Sequence, residues 1–206
     1  MARFFDVHPV DPQPRAIGQV VAMLRDDGLI AYPTDSGYAL GIQLGNRTGL
    51  DRIRQIRHLD DKHHFTLVCR DFAQLGPLVH LDNAAFRMVK AATPGPYTFI
   101  LPATAEVPKR LMHPKKRTVG VRIPEHRVVQ ALLTELGEPL LSSTLLLPGQ
   151  DDPMTEGWVV LEELGHWLEA VVDSGECGSD PTTVVDLSSG VPEVVRYGAG
   201  ETTRFG

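Results

Sequence analysis

Apolar residues recur at helical spacing near the start of the chain. Their i, i+3, i+4, i+7 pattern is typical of a helix that packs one face on a sheet. The residues of this stripe are Ile17, Val20, Val21 and Leu24. Asp11 as the N-cap, Pro12 at the first helical position and Gly28 after the last turn are suitable boundaries for it. The apolar run 29–32 predicts a short buried strand, which ends at residues 33–37.

The same alternation of amphipathic helices and apolar strands continues along the chain. Further helices are predicted at residues 50–57, 83–92, 107–112 and 158–168, and after His126, where a stripe of Val129, Leu132, Leu133 and Leu136 is closed by Gly137. Further strands are predicted at residues 65–69, 97–101, 118–122, 140–144, 171–172, 183–186 and 194–195. We therefore predict an α/β fold with helices packed on a mixed, largely buried sheet. No linker or internal repeat interrupts the pattern, so residues 1–206 are expected to form a single domain.

Composition places few further demands on this fold. With 206 residues, 42% of them hydrophobic, the chain can bury a core without disulfides or a structural metal. Cys69 and Cys177 are far apart and form no C-x-x-C pair, which favours a reducing compartment and excludes a cysteine-based zinc site. The apolar runs are too short to span a membrane, and the N-terminal residues lack the apolar segment of a secretory signal. We expect a soluble, cytoplasmic protein without a membrane partner.

The formal net charge of −6 conceals an uneven distribution of charge. Residues 1–127 carry 18 basic and 12 acidic side chains, whereas residues 128–206 carry 2 basic and 14 acidic ones. Residues 109–117, which we call the basic loop, contain Lys109, Arg110, Lys115, Lys116 and Arg117. Such asymmetry is typical of a protein that binds an anionic ligand or RNA on one side, although a solvated loop has the same composition.

Several common catalytic signatures are missing from the sequence. No G-x-x-x-x-G-K-[ST], G-x-G-x-x-G, H-E-x-x-H or G-x-S-x-G motif occurs. His63 and His64 would point to opposite faces of a strand, so we predict no metal held by the protein. Residues 35–37 and 173–175 are both Asp-Ser-Gly, as in aspartic proteases, but the helices between them are incompatible with the two all-β halves that this chemistry needs. We interpret the repetition as coincidence.

Hydroxyl and guanidinium groups lie at the ends of several predicted strands. The first strand leads into Thr34, Asp35, Ser36 and Gly37. The later examples are Thr118 with Arg122, Ser142 with Ser143 and Thr144, Thr182 with Thr183, and Arg196. Ligands bind at strand ends in α/β sheets, and arginines and hydroxyls bind carboxylate or phosphate oxygens. Each residue alone would equally suit a cap or a surface ion pair, but the set predicts one anion pocket.

The order and spacing of these stretches resemble the YrdC-like family of L-threonylcarbamoyl-AMP synthases, most closely its YciO branch. The resemblance covers the whole chain and rests on residues 32–41, 65–67, 93–98, 118–124 and 182–186. It implies a single YrdC-like domain, with a twisted mixed sheet, helices packed on it and a concave basic face. It also implies that threonine, bicarbonate and ATP, with Mg²⁺ carried by ATP, are converted to L-threonylcarbamoyl-AMP and pyrophosphate. That product serves the N6-threonylcarbamoyl modification of tRNA.

The resemblance further implies roles for individual residues. Those expected around the amino acid are Thr34, His63, Arg122, Ser142 and Thr182. Those expected around the nucleotide are Arg57, Thr118, Thr144 and Arg196. Because the reaction accumulates charge on oxygens, Arg57, Arg122 and Arg196 would act electrostatically, and no nucleophilic side chain is expected.

Two positions depart from the family pattern. Active synthases carry Lys-x-Arg after the second helix, where residues 57–59 are Arg-His-Leu, and Ser-x-Asn where residues 144–146 are Thr-Leu-Leu. Leu59 and Leu146 thus replace a cation and an amide, as in the YciO branch. These changes favour an altered amine substrate or weak synthesis, and they leave open a second hypothesis. In that hypothesis the basic loop binds RNA, either tRNA or ribosomal RNA, with little or no synthase activity.

Overall fold

The computed structural model describes residues 1–60, 63 and 65–205. Its strands are β1 (Arg3–Asp6), β2 (Ile30–Thr34), β3 (Gly37–Gln43), β4 (Thr66–Val68), β5 (Tyr97–Pro102), β6 (Thr118–Arg122), β7 (Leu140–Thr144), β8 (Ala170–Asp173), β9 (Thr183–Asp186) and β10 (Glu193–Arg196). Within the described chain they form one mixed sheet in the order β1-β8-β2-β3-β7-β4-β6-β5-β9-β10. The predicted α/β class with a mixed sheet is confirmed.

Helices connect most of these strands. They are α1 (Pro14–Arg25), α2 (Arg47–Arg57), α3 (Phe72–Leu75), α4 (Asn83–Ala92), α5 (Arg127–Leu136) and α6 (Gly157–Leu164). Side-chain caps begin several of them: the Asn46 side chain accepts a hydrogen bond from the Gly49 amide, and that of Asp82 accepts one from the Ala85 amide. No helix among the described residues is both long and apolar enough to cross a membrane.

The first helix begins two residues later than the sequence predicted. Gln13 is its N-cap and Pro14, rather than Pro12, stands in the first turn. Asp11 lies in a preceding turn, where its amide donates to Nδ1 of His8 at 3.0 Å. The prediction of Asp11 as the cap was wrong: Asp11 lies before the helix, with its amide bonded to the His8 side chain, and the helix begins only after Gln13.

Alternate residues of the central strands face two separate cores. Leu141 of β7 belongs to the core that includes residues of α2, α4 and α6, whereas Leu140 belongs to the core of α1 and α5 on the opposite face. The buried residues described for the α1/α5 core include none from β5, β6 or β9. That part of the second face lines a cavity instead.

A hairpin that the sequence did not predict shapes one end of this cavity. Strand β2 continues through Pro33 to Thr34, turns at residues 35–36 and returns as β3, with Thr34 opposite Gly37. Pro33 is tolerated because β8 pairs only with Ile30 and Ala31, so the missing amide lies beyond that ladder. Gly37 has a φ of +92°, which its lack of a side chain permits.

Candidate active site

The uncovered part of the sheet forms a cavity of about 450 Å³, which we call the central cavity. It brings together residues that are far apart in sequence. The predicted site residues that line it are Thr34, Arg57, His63, Arg122, Ser142, Thr144, Thr182 and Arg196. Thr118 is not in the lining. It is buried two positions before Gly120 on the same face of β6, and it lies toward the opposite end of that strand from Arg122.

Arg122 is held at the end of β6 by the hairpin turn. Its Nη1 donates to Oγ of Ser36 at 3.0 Å, and its Nη2 pairs with Oδ1 of Asp35. Its Nε is buried without a hydrogen-bond partner among the described residues. Because a guanidinium has five N–H donors, these contacts leave part of its donor capacity for another acceptor.

Thr34 organises the turn that carries these partners. Its hydroxyl donates to the Gly37 carbonyl oxygen at 2.7 Å and accepts from the Ser36 amide at 3.1 Å. Both Thr34 and Ser36 are buried, with 4% and 6% of their surface exposed. The turn is therefore a fixed wall of the cavity, with hydroxyl groups already oriented.

Arg57, the last residue of α2, is oriented by β7 and the segment that follows it. Its Nε donates to the Leu146 carbonyl oxygen at 3.1 Å, and its Nη1 donates to Oγ of Ser143 at 2.5 Å. Nε2 of His63 lies 3.5 Å from the same Nη1. Burial lowers the pKa of Arg57 from its usual range, yet a guanidinium remains charged at neutral pH.

Arg196 enters the cavity from β10 at the sheet edge. Nε and Nη2 donate to the carbonyl oxygen of Thr182 at 3.0 and 2.9 Å, and Nη2 also contacts Oγ1 of Thr182 at 2.9 Å. The Thr182 hydroxyl shares a further hydrogen bond with that of Thr98, 2.9 Å away. Burial lowers the pKa of Arg196, and the positive charge of Arg122 adds to this effect. The two cations therefore act on the same volume.

The Ser142 hydroxyl is held in place by a hydrogen bond with the buried Tyr32. The hydroxyls of Tyr32 and Ser142 lie 2.7 Å apart and share a hydrogen bond. Burial raises the pKa of Tyr32 to about 12, so its hydroxyl stays neutral and able to donate. The Ser142 hydroxyl is thereby fixed at the cavity floor.

Residues 145–156, which we call the rim loop, close one side of the cavity. Asp151, Asp152 and Pro153 line the cavity from this loop. A Cβ at Gly37 would come within 2.7 Å of Pro153, so the loop approaches the hairpin turn closely and a larger residue at that turn would displace it. The floor of the cavity is basic as the resemblance implied, but its rim carries two carboxylates.

The two positions that depart from the family pattern lie in different surroundings. Leu146 lines the central cavity, and its carbonyl oxygen accepts from Arg57. Leu59 is absent from that lining and packs against the core beneath α2, α4 and α6. Only the Leu146 side chain therefore alters the surface that a ligand in this cavity would meet.

The basic loop lies away from the central cavity. It joins β6 at Thr118, about 13 Å along the strand from Arg122 at the other end. The side chains of Lys109, Arg110, Lys115, Lys116 and Arg117 are exposed, and none lines the cavity. Arg110 donates to the carbonyl oxygens of Leu44 and Gly45 at 3.2 Å, and Lys116 lies 3.6 Å from Asp186.

Neither the paired Asp-Ser-Gly triplets nor the paired histidines form a catalytic centre in the described chain. Asp35 pairs with Arg122, whereas Asp173 accepts a hydrogen bond from the Tyr38 hydroxyl at 2.7 Å, so the two carboxylates have different partners. His63 lies beside Arg57, and His64 is outside the described residues. Among the described residues, no group of three or more His, Cys, Asp or Glu side chains is placed to hold a metal ion.

Sequence reasoning missed several residues of the site. The cavity-lining Thr98, Asp151 and Asp152 were not predicted, and Ser143 was predicted only as a member of the strand-end hydroxyl set. Asp35, which contacts Arg122 but is not among the residues that line the cavity, had no predicted role. The strand-end position of Thr98, at the level of Arg122 on the neighbouring strand, could have been found only from the strand order. The aspartates stand in a segment whose Pro, Gly and Asp residues signal only a surface loop.

The comparison with known families decides where this chain belongs. The family model Sua5_yciO_yrdC, described as telomere recombination, matches residues 22–198. The chain belongs to the Sua5/YciO/YrdC family. The resemblance predicted from the sequence is therefore confirmed, and so is its fold, since solved structures of this family share it.

Individual members of the Sua5/YciO/YrdC family match to different degrees. "Uncharacterized protein YciO" of Escherichia coli K12 is 45% identical over 205 residues and covers 100% of both chains. The crystal structure of E. coli YciO has a TM-score of 0.96, also with 100% of both chains covered. The threonylcarbamoyl-AMP synthase of Vibrio vulnificus YJ016 is 33% identical over 163 residues, which are 78% of this chain and 86% of the relative.

A more distant family structure carries an amino acid. P. abyssi Sua5 complexed with L-threonine has a TM-score of 0.87 and 25% identity, and the match covers 96% of this chain and 58% of that one. The higher identity with YciO agrees with the predicted branch. Within the family, then, this chain is more similar to YciO than to the named synthase, while it shares the fold of the threonine complex.

Proposed function

We propose that the protein joins L-threonine, or a related α-amino acid, to bicarbonate and ATP, forming a threonylcarbamoyl-AMP type of product and pyrophosphate for tRNA modification. The observation that carries the proposal is the convergence of Arg57, Arg122 and Arg196 with several hydroxyls on one cavity. A relative named threonylcarbamoyl-AMP synthase and a family structure with L-threonine support it.

The chemistry suits a site built from cations and hydroxyls. The neutral amine attacks carbon dioxide derived from bicarbonate and loses a proton, which leaves a carbamate. A carbamate oxygen then bonds to the α-phosphorus of ATP while the bond to the β-phosphate oxygen breaks and pyrophosphate leaves. Negative charge stays on oxygens throughout, and Mg²⁺ that enters with ATP neutralises part of it. Such a reaction depends on positioning and electrostatic stabilisation rather than on a covalent nucleophile.

Each cation of the cavity is held in advance by neighbouring groups. Arg57 is tethered to a carbonyl and a hydroxyl, and Arg196 to both oxygens of Thr182. In the proposal these two arginines bind phosphate oxygens, while Arg122 and Ser142 bind the amino-acid carboxylate. Thr34, Thr144 and Thr182 supply the remaining hydroxyl contacts. Because the donors are already oriented, little reorganisation is needed when charge develops.

Pyrophosphate release tests the proposal directly. Release is expected only when ATP, bicarbonate and the amino acid are all present, and Arg122→Ala should reduce it by roughly 10²- to 10³-fold, the usual cost of a lost oxyanion donor. Arg15→Ala, which removes an exposed arginine of α1, is the matched control and should leave the rate unchanged. Mass spectrometry of the adenylates formed from a panel of amino acids identifies the amine. Absence of release above a buffer blank with every amino acid would refute the proposal.

RNA binding by the basic loop is a second candidate, favoured by five exposed cationic side chains in one segment. Because Arg110 and Lys116 also hold the loop in place, the informative variant combines Lys109→Ala, Lys115→Ala and Arg117→Ala. RNA affinity should fall steeply with salt, and this variant should weaken affinity and flatten the salt dependence. Unchanged affinity would remove the basis of this candidate, whatever the outcome of the synthase assay.

A further inference from the structure

A second cavity, of about 380 Å³, lies beyond the ends of two neighbouring strands. Strands β4 and β6 run parallel, with Val68 opposite Arg122 at their carboxyl ends. Residues 70–72 and 123–127, which follow these ends along the chain, line the second cavity. None of its described lining residues lines the central cavity, so the two cavities are separate. Its volume is within the usual range of small-molecule sites.

The chain leaves these two strands toward opposite faces of the sheet. After β4 it reaches Phe72, whose ring packs edge-on against that of Phe86 in α4, with 5.2 Å between the ring centres. Helix α4 contributes to the core of α2, α4 and α6, whereas β6 leads into α5, which belongs to the core on the other face. The crevice between parallel strands whose connections diverge in this way is where open α/β sheets bind ligands.

Part of the lining of the second cavity is apolar. Ile123 and Pro124 are buried there, whereas Phe72 and Pro94 retain exposed surface. A ligand with an aromatic body would remove this surface from water by packing against it.

Two arginines supply hydrogen-bond donors to the same cavity. Arg70 donates from Nε to Oδ2 of Asp71 at 2.8 Å, and its two Nη atoms have no hydrogen-bond partner among the described residues. Arg127 is exposed, and its guanidinium makes no hydrogen bond or ion pair within the part of the chain that the structure describes. Such groups bind carboxylate and phosphate oxygens through paired N–H donors.

The lining contains fewer available negative charges than positive ones. Asp71 already binds Arg70 and the amides at the start of α3, and these hydrogen bonds lower its pKa. Burial lowers the pKa of His126, so this imidazole is neutral at neutral pH. Within the described lining, Glu125 is then the carboxylate left to oppose Arg127 and the Nη groups of Arg70, and the positive end of the α5 dipole adds to the cations. This balance favours an anionic ligand.

We propose that the second cavity binds a small aromatic anion that carries a carboxylate or a phosphate group. The acidic group pairs with Arg127 and the Nη groups of Arg70, and the aromatic body packs against Phe72 and Ile123. Because the lining is separate from that of the central cavity, this site does not depend on the proposed function.

Chemical-shift mapping of the ¹⁵N-labelled full chain by NMR, without ATP or amino acid, tests the proposal. The probes are phenylacetate, phenyl phosphate, the neutral benzamide and inorganic phosphate. At least one of the two aromatic anions should shift the amides of residues 70–72 and 125–128, and the tighter of the two identifies the preferred acidic group. Benzamide and inorganic phosphate should bind at least about tenfold more weakly, because one lacks the charge and the other the apolar body.

Two substitutions of opposite effect test the charge balance. Arg127→Gln should weaken binding of the aromatic anion about tenfold, because a charge-assisted contact is lost. Glu125→Gln removes the opposing charge and should tighten binding about two- to fivefold at low salt. Arg15→Gln removes an exposed arginine outside both cavities and is the matched control, with unchanged affinity expected. All three side chains are exposed, so the variants should remain folded.

Several results would overturn the proposal. These are the absence of shifts at residues 70–72 and 125–128 with both anions, shifts confined to residues of the central cavity, and equal affinities of Arg127→Gln and the wild type. Weaker binding by Glu125→Gln would show that the ligand needs a positive group as well, and it would overturn the assignment of an anion.

Discussion

Replacing Arg196 by lysine separates the charge of this residue from its geometry. The guanidinium makes three contacts with Thr182, two to the carbonyl oxygen and one to the hydroxyl, at 2.9 to 3.0 Å. A lysine ammonium keeps the charge but is not planar, and it can reproduce about one of these contacts. At about 1 kcal/mol for each lost hydrogen bond, two losses amount to about 2 kcal/mol. Because these bonds orient the guanidinium toward the cavity, the lysine variant has to restore that orientation in the transition state without them, and we expect a similar loss there, which is a roughly 30-fold lower kcat/KM in Arg196→Lys.

Pyrophosphate release at varied ATP, with saturating amino acid and bicarbonate, measures this effect. Arg196→Ala loses the charge as well and should fall further, by roughly 10²- to 10³-fold. Arg204→Lys is the control, because Arg204 is exposed and, among the described residues, donates to the Ala91 carbonyl oxygen outside the cavity. The rate of this variant should stay within about twofold of the wild type. A rate for Arg196→Lys within twofold of the wild type would show that charge alone suffices and would refute the reasoning. Thermal melting of each variant separates loss of activity from loss of folded protein.

Three further changes test other parts of the structure. The double change Asp151→Asn with Asp152→Asn removes two carboxylates from the cavity rim. The affinity for ATP, measured in the absence of Mg²⁺, should then rise by roughly two- to fivefold at low salt, and added salt should abolish this gain. Equal gains at low and high salt would contradict an electrostatic origin. Leu146→Asn places an amide in the cavity and keeps the backbone carbonyl that accepts from Arg57. Pyrophosphate release with threonine should therefore increase severalfold. An unchanged rate would show that this side chain does not limit the reaction. Although burial opposes the shift, hydrogen bonds from Ser188 and the charge of Lys116 lower the pKa of Asp186. At pH values above the ordinary aspartate pKa, the wild type should therefore have a higher free energy of unfolding than Asp186→Asn. This advantage should be lost as the pH falls through the lowered pKa of Asp186. Denaturant titrations at neutral pH and at about pH 3 would measure the difference. A difference that does not change with pH would contradict this origin.

The elements with strong local patterns could be predicted from the sequence. Helix α4 and strands β6 and β7 have the predicted bounds. Amphipathic spacing marks the helix, and short, largely buried runs mark the two strands. Strand β3 was missed because it contains two glycines, Gly37 and Gly41, and glycine has a low strand propensity. The strand forms nevertheless because it pairs with β2 on one side and β7 on the other. Strand β1 has only four residues and depends on pairing with β8, which lies at the far end of the chain.

The candidate site was predictable in residue type but not in pairing. Strand ends carrying threonine, serine and arginine indicate an anion pocket from sequence alone. That Asp35 meets Arg122, or that Ser143 meets Arg57, depends on which strands are neighbours in the sheet, and local patterns carry no such information. Thr118 shows the same limit, because its strand was correctly predicted while its distance from the cavity depends on how far along β6 the cavity extends.

The strand order described above also has a consequence for folding kinetics. Strand β1 pairs in parallel with β8, and β5 pairs in parallel with β9. These two strands, near the N-terminus and in the middle of the chain, can therefore pair only with strands that are synthesised much later. Such non-local pairing raises contact order and slows folding, because the entropy of closing long loops is lost before the contacts that repay it are made. The cavity draws its arginines from α2, β6 and β10, and the last of these is the final strand of the chain. We therefore expect the cavity to be completed late in folding, when β10 pairs with β9.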